Sequence, residues 1–128
     1  MIDNPEPTSC QCSAAPKLIF ACSGAADVGH VSDIAARRLT DEGAGKMFCL
    51  AGIGGRVSGI MATTKAASQI LAIDGCPLDC VRRSLEEAGF SEFDHLRLSD
   101  LGMDKGASPA TPVNIEKVVV SGRQYLTG

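Results

Sequence analysis

Lys17-Leu18-Ile19-Phe20-Ala21-Cys22-Ser23-Gly24 is a short, unbroken apolar run closed by two small residues, the pattern of a strand buried on both faces. The pattern recurs. Lys46-Met47-Phe48-Cys49-Leu50-Ala51 runs into Gly52-Ile53-Gly54-Gly55, and Gln69-Ile70-Leu71-Ala72-Ile73 closes on Asp74-Gly75-Cys76. Between them lie stretches of helical period. Val28, Val31, Ile34, Ala35 and Leu39 form one apolar stripe, capped by Asp27 or Ser32 and ended by Gly43 and Gly45. A second helix is predicted over Val57 to Ala67, with the Gly52 to Gly55 stretch as a flexible turn before it. A third starts at Pro77, whose missing N–H costs nothing there, and carries Val81, Leu85 and Ala88 up to the stop at Gly89.

Phe93 to Leu98 reads as a weaker edge strand because His95 and Arg97 alternate with apolar neighbours. Gly102 to Pro112 reads as a loop. Val113 to Leu126 is the last helix, with the β-branched run Val118-Val119-Val120 arguing the other way. Alternating strands and helices predict right-handed crossovers and an α/β, single-domain three-layer sandwich. Its sheet is mostly parallel, with about four strands in the order 2-1-3-4 and helices on both faces. Residues 1–16, rich in Pro and small polar residues, form an arm, and residues 17–128 form the domain.

A chain of 128 residues with 45% hydrophobic and 21% charged positions supports one domain, and at that length a fold hides about two thirds of its unfolded surface. No disulfide staple is required. The net charge of -3 and the absence of any basic block longer than Arg37-Arg38 or Arg82-Arg83 argue against a nucleic-acid or anionic-membrane partner. Aromatics at 4%, with no Trp, leave no base-stacking platform. The acidic, proline-broken start Met1-Ile2-Asp3-Asn4-Pro5-Glu6-Pro7 has no signal-peptide pattern, and no apolar run approaches the roughly 20 residues of a membrane span. A cytoplasmic location is the simplest expectation.

Six cysteines are therefore the unusual feature, and in a reducing compartment clustered thiols serve metals or redox chemistry more often than bridges. In a parallel sheet, ligands gather beyond the carboxyl ends of the strands, where Cys22 and Cys76 both fall. Cys76-Pro77-Leu78-Asp79-Cys80 sets two thiols at i and i+4 across the predicted helix N-terminus, where dipole and free N–H groups lower a thiol pKa. Cys10-Gln11-Cys12 lies on the arm, a clasp that closes over the site, with both side chains on one side of an extended segment. Cys49 falls just before the end of its strand, where burial in the core competes evenly with ligation. Thiolate ligands select zinc, copper(I) or iron–sulfur clusters, and zinc is preferred. The spacing is neither that of a zinc ribbon nor that of the common ferredoxins.

With Asp74-Gly75-Cys76, Cys80, Ala21-Cys22-Ser23-Gly24, Cys49 and a Cys-x-Cys arm all in place, the chain resembles the DGC-domain family of zinc-binding proteins. These small bacterial and archaeal proteins are named for that tripeptide, and the resemblance spans roughly Cys10 to Val120. It implies zinc bound through Cys10, Cys12, Cys22, Cys49, Cys76 and Cys80, as one set of four or as two sites. It implies little about biological role: sequestration, delivery and structural use stay open, and so do protein partners. The rival is thiol redox or sulfur transfer with Cys22 or Cys76 as nucleophile and Cys80 or Cys12 resolving, weakened by the lack of C-x-x-C. Gly52-Ile53-Gly54-Gly55-Arg56 fails as a G-x-G-x-x-G loop at Val57. His30 and His95 read as lone histidines outside the ligand set. Asp74 reads as turn chemistry ahead of a role as base or as orienter of the metal site. Met47, Met61 and Met103 form no copper cluster, and Ser23 and Ser32 have no His-Asp support for a hydrolase triad.

Overall fold

The computed structural model describes residues 15–127. Strand β1 (Lys17–Ala21) alternates its side chains between two apolar layers, Leu18 and Phe20 to one side, Ile19 and Ala21 to the other. A strand with two dry faces has to be central. β1 lies between β2 (Lys46–Met47) and β3 (Gln69–Asp74), and β4 (Asp94–Arg97) borders β3, giving a four-stranded parallel sheet in the order β2-β1-β3-β4. The expected order 2-1-3-4 is the one found. Leu18 pairs with Ile70 and Ile19 with Leu71, so β1 and β3 end at the same level.

Helices α1 (Asp27–Asp41) and α5 (Pro112–Thr127) cover one face, packing Val31, Ala35, Leu39, Val118 and Val119 against Ile19, Ala21, Leu71 and Ile73. Burial decides α5. Val118 and Val119 are fully buried, and that burial outweighs the weak helix preference of a β-branched run. On the other face α2 (Leu50–Gly54), α3 (Ser58–Lys65) and α4 (Cys80–Glu87) set Ile53, Val81 and Leu85 against Leu18, Phe20, Ile70 and Ala72. Phe48 packs edge-on against Phe20 there, with ring centres 6.1 Å apart. Among the described residues no helix is long and apolar enough to cross a membrane.

Several boundaries differ from the sequence expectations. β2 stops at Met47, one further ladder bond runs from the Phe48 N–H to the Ile19 carbonyl at 2.8 Å, and Cys49 then leads into α2. Gly52 to Gly55 is thus no flexible turn. Gly52 and Ile53 are buried within α2, and the predicted helix over Val57 to Ala67 is α3 alone. α1 starts at Asp27, whose carboxylate accepts from the N–H groups of Val28, Gly106 and Ser108, while Ser32 lies inside the helix and donates to the Val28 carbonyl. The edge strand gives way to a 3-10 turn at Leu98–Leu101. The helix expected from Pro77 begins only at Cys80.

Two close approaches bring α1 against the loops that follow β1 and β3. A Cβ on Gly29 would stand 2.5 Å from the Gly24 carbonyl oxygen, and one on Gly75 would stand 3.0 Å from Val28. Backbone cannot yield as a side-chain tip can. Gly29→Ala is expected to lower stability by roughly 1–3 kcal/mol through overpacking, read as a fall in the urea midpoint at unchanged m.

Candidate metal centre

A parallel sheet delivers every strand end to the same rim, and the four described cysteines all follow such ends. Cys22 comes directly after β1, and its N–H donates to the Ile73 carbonyl at 2.9 Å, which keeps it beside β3. Cys76 lies two residues past the end of β3, and Cys80 opens α4. Cys22 and Cys76 are half-buried, Cys80 is exposed, and all are free thiols. Cys49 is exposed at the start of α2, so the reading of it as a buried core thiol in the second strand does not hold. That strand ends too early to carry it inside.

The Cys80 thiol is pushed up, first by the protein around the sulfur and then by the facing charges of Cys22, Asp74 and Cys76. This reverses the expected lowering. The N–H groups that were to favour a thiolate are already taken, because the Asp74 carboxylate accepts from Val81 N–H at 2.7 Å and Arg82 N–H at 3.1 Å. Cys76 also stands outside the helix, so the i, i+4 placement on one helix face is not found. The three thiols border a common region without being gathered into ligation geometry. Among the described residues the one trio of His, Cys, Asp or Glu whose ligand atoms lie within 4.8 Å of one another is Asp74, Asp79 and His95.

That trio is held by cations of the protein itself. Asp79 is buried in the left-handed backbone region at φ 57°, and Arg97 grips both its oxygens, Nε at 2.8 Å and Nη2 at 2.6 Å. Arg82 adds a contact at 3.1 Å. Asp74, only 1% exposed, meets His95 Nε2 at 2.8 Å besides the two α4 amides. With its oxygens so occupied, the group fits a structural network better than a bound cation. His95 is hydrogen-bonded to Asp74, and Asp74 is a helix cap more than a turn residue. Sequence reasoning missed Asp79 and Arg97 altogether. The one available signal was the spacing of His95 and Arg97, two residues apart and so on one face of the edge strand.

Cys10 and Cys12 lie outside the described residues, but the point where their segment joins the fold is fixed. The Pro16 carbonyl accepts from Ser68 N–H at 2.8 Å, at the amino edge of the sheet. From Pro16 to Cys22 the chain climbs about 20 Å at the rise of an extended strand. Cys12 stands four and Cys10 six residues before Pro16, reaches of at most about 14 Å and about 21 Å when straight.

The described residues thus form a small parallel three-layer α/β domain with four free cysteines following its strand ends. The DGC domain profile matches residues 18–121, and the chain belongs to that family. It is similar to the "Anaerobic and virulence modulator AnvM" of Pseudomonas aeruginosa, at 38% identity over 88 residues, covering 69% of this chain and 67% of the relative. No solved structure matches it.

Arg97 first, with Arg82 and against the effect of burial, holds the Asp79 carboxyl at about 2, below its ordinary 3.8. A lowered carboxyl stabilises the fold above its unfolded value and loses that contribution as pH falls through the folded one, here between about 4 and 2. The full effect is on the order of 2 kcal/mol. Asp79→Asn, which also tolerates the left-handed region, should flatten this limb of a urea-stability profile taken from pH 5 to pH 2.

Proposed function

We propose that this protein binds zinc through the thiolates of Cys22, Cys76 and Cys80 at the carboxyl rim of its sheet. The observation that carries the reading is that Cys22 and Cys76, far apart in sequence, follow the carboxyl ends of the adjacent strands β1 and β3, with Cys80 at the start of α4 after the same strand end. Thiols brought to one rim by neighbouring strand ends are soft donors suited to a soft cation. Zinc bound there supplies the positive charge that lets them ionise together, and the donors fit it by chemistry because sulfur is its usual structural ligand. The Asp74–Asp79–His95 group is a poorer candidate, since Arg97 and Arg82 already neutralise it.

Cys10 and Cys12 stand outside this proposed set. Cys49, exposed on the neighbouring strand end, is the available further thiol. Redox or sulfur-transfer chemistry is less well supported. A resolving Cys80 with a raised pKa is mostly protonated and so a poor attacking group near neutral pH. The role served by the metal is sequestration, delivery or structural support.

Metal analysis of protein purified without added metal tests the proposal, repeated on Cys22→Ser and Cys76→Ser. Near-stoichiometric zinc in the parent, lost in both variants, is the expected result; zinc unchanged in both, or absent from the parent, overturns it. The double variant Cys10→Ser/Cys12→Ser should keep the metal at parental affinity, measured by competition with a chromophoric chelator. In the parent that affinity should weaken as pH falls, since protons compete for each thiolate.

A further inference from the structure

The loop from Gly75 to Asp79 carries Cys76 and delivers Cys80, and a buried carboxylate pins it at either end. At the start Asp74 joins β3 to α4 through Val81 and Arg82 N–H, and to β4 through His95 Nε2 at 2.8 Å. At the finish Asp79 holds a left-handed backbone that non-glycine residues adopt only under constraint. The constraint is visible. Arg97 closes on it with two bonds, and the Asp79 N–H donates back to the Cys76 carbonyl at 3.2 Å. Outside the loop, the Arg83 side chain donates to the Leu78 carbonyl at 2.9 Å.

Both distal groups come from β4, which supplies no cysteine. His95 and Arg97 lie on one face of this edge strand, and Arg97 stands in register with Asp74. Neither side chain is needed to complete the core: His95 is 21% and Arg97 30% exposed, beside carboxylates that are 1% and 3% exposed. Two partly exposed side chains thus reach inward to fix a loop of five residues whose other notable content is a thiol.

We propose that Arg97 and His95 are positioning residues for the thiol site: acting through Asp79 and Asp74, they set the spacing of Cys76 and Cys80 and so its metal affinity. This rests on the reading of those thiols as zinc ligands. Groups that orient ligands from behind govern affinity without touching the ion, commonly by 10–100-fold. Arg97 acts by shape as well as charge, since its fork matches both oxygens of Asp79 and a lysine cannot.

The test compares the parent chain with Arg97→Met, Arg97→Lys and His95→Phe. Zinc affinity is read by chelator competition, the thiolate number by the sulfur-to-metal charge-transfer band of the cobalt(II)-substituted protein, and metal-free stability by thermal melting. Arg97→Met should lose tenfold or more in zinc affinity while the band at cobalt saturation keeps its parental intensity, with Arg97→Lys between it and the parent. Melting temperatures that fall while zinc affinity of the folded protein stays parental would reduce the network to a structural one and overturn the proposal. Should Arg97→Met fail to fold, Asp79→Asn removes the same ion pair in a side chain suited to that backbone, and the same criterion applies. A parent that takes up no zinc overturns the metal reading and this one together; a parent that binds zinc beside equally tight variants overturns this one alone.

Discussion

The carboxylate of Asp74 is where the architecture turns into a site. It sits at the end of a central strand, nearly without exposure, and a buried carboxyl group there is tolerable only with both oxygens hydrogen-bonded. Two amides of α4 and the His95 ring meet that demand. The same bonds decide where α4 begins, and so which residue stands at its tip. Because the amides point at Asp74 they are withdrawn from Cys80, whose thiol is pushed up by the protein around it.

Much of the fold was readable because β1 and β3 are buried on both faces and appear as unbroken apolar runs. Their turn residues mark where each run stops. The run Met47-Phe48-Cys49-Leu50-Ala51 reads as strand throughout because apolar continuity is the same at a strand end and at a buried helix start. Ile53, packed beneath the sheet, settles it in favour of helix. Pro77 resembled a first helical residue for a sound local reason, but a carboxylate three residues upstream captured the amides of residues 81 and 82 and moved the start.

For the site, legibility divides along contact range. That thiols would fall at strand ends follows from parallel topology, and Cys22 and Cys76 do follow the ends of β1 and β3. What holds them was hidden. The pairing of Asp79 with Arg97 spans 18 residues and joins a loop to an edge strand, and no periodicity announces such a pair. The reversed ionisation of Cys80 was hidden likewise, since it depends on which acceptor wins the helix amides.

The path of the chain at the opposite edge has a practical side. Gln69 donates to the Tyr125 carbonyl at 2.8 Å and Lys17 donates to that of Leu126, so the last turn of α5 is tied down beside the place where β1 starts. Entry into the domain and exit from it therefore share one pole, and the sulfur-bearing surface occupies the other. An affinity handle, a fluorophore or a surface tether attached at Ala15 or Thr127 stands about a strand length away from Cys22, Cys76 and Cys80. Immobilised by such an attachment, the protein presents its sulfur face outward to whatever is washed across it.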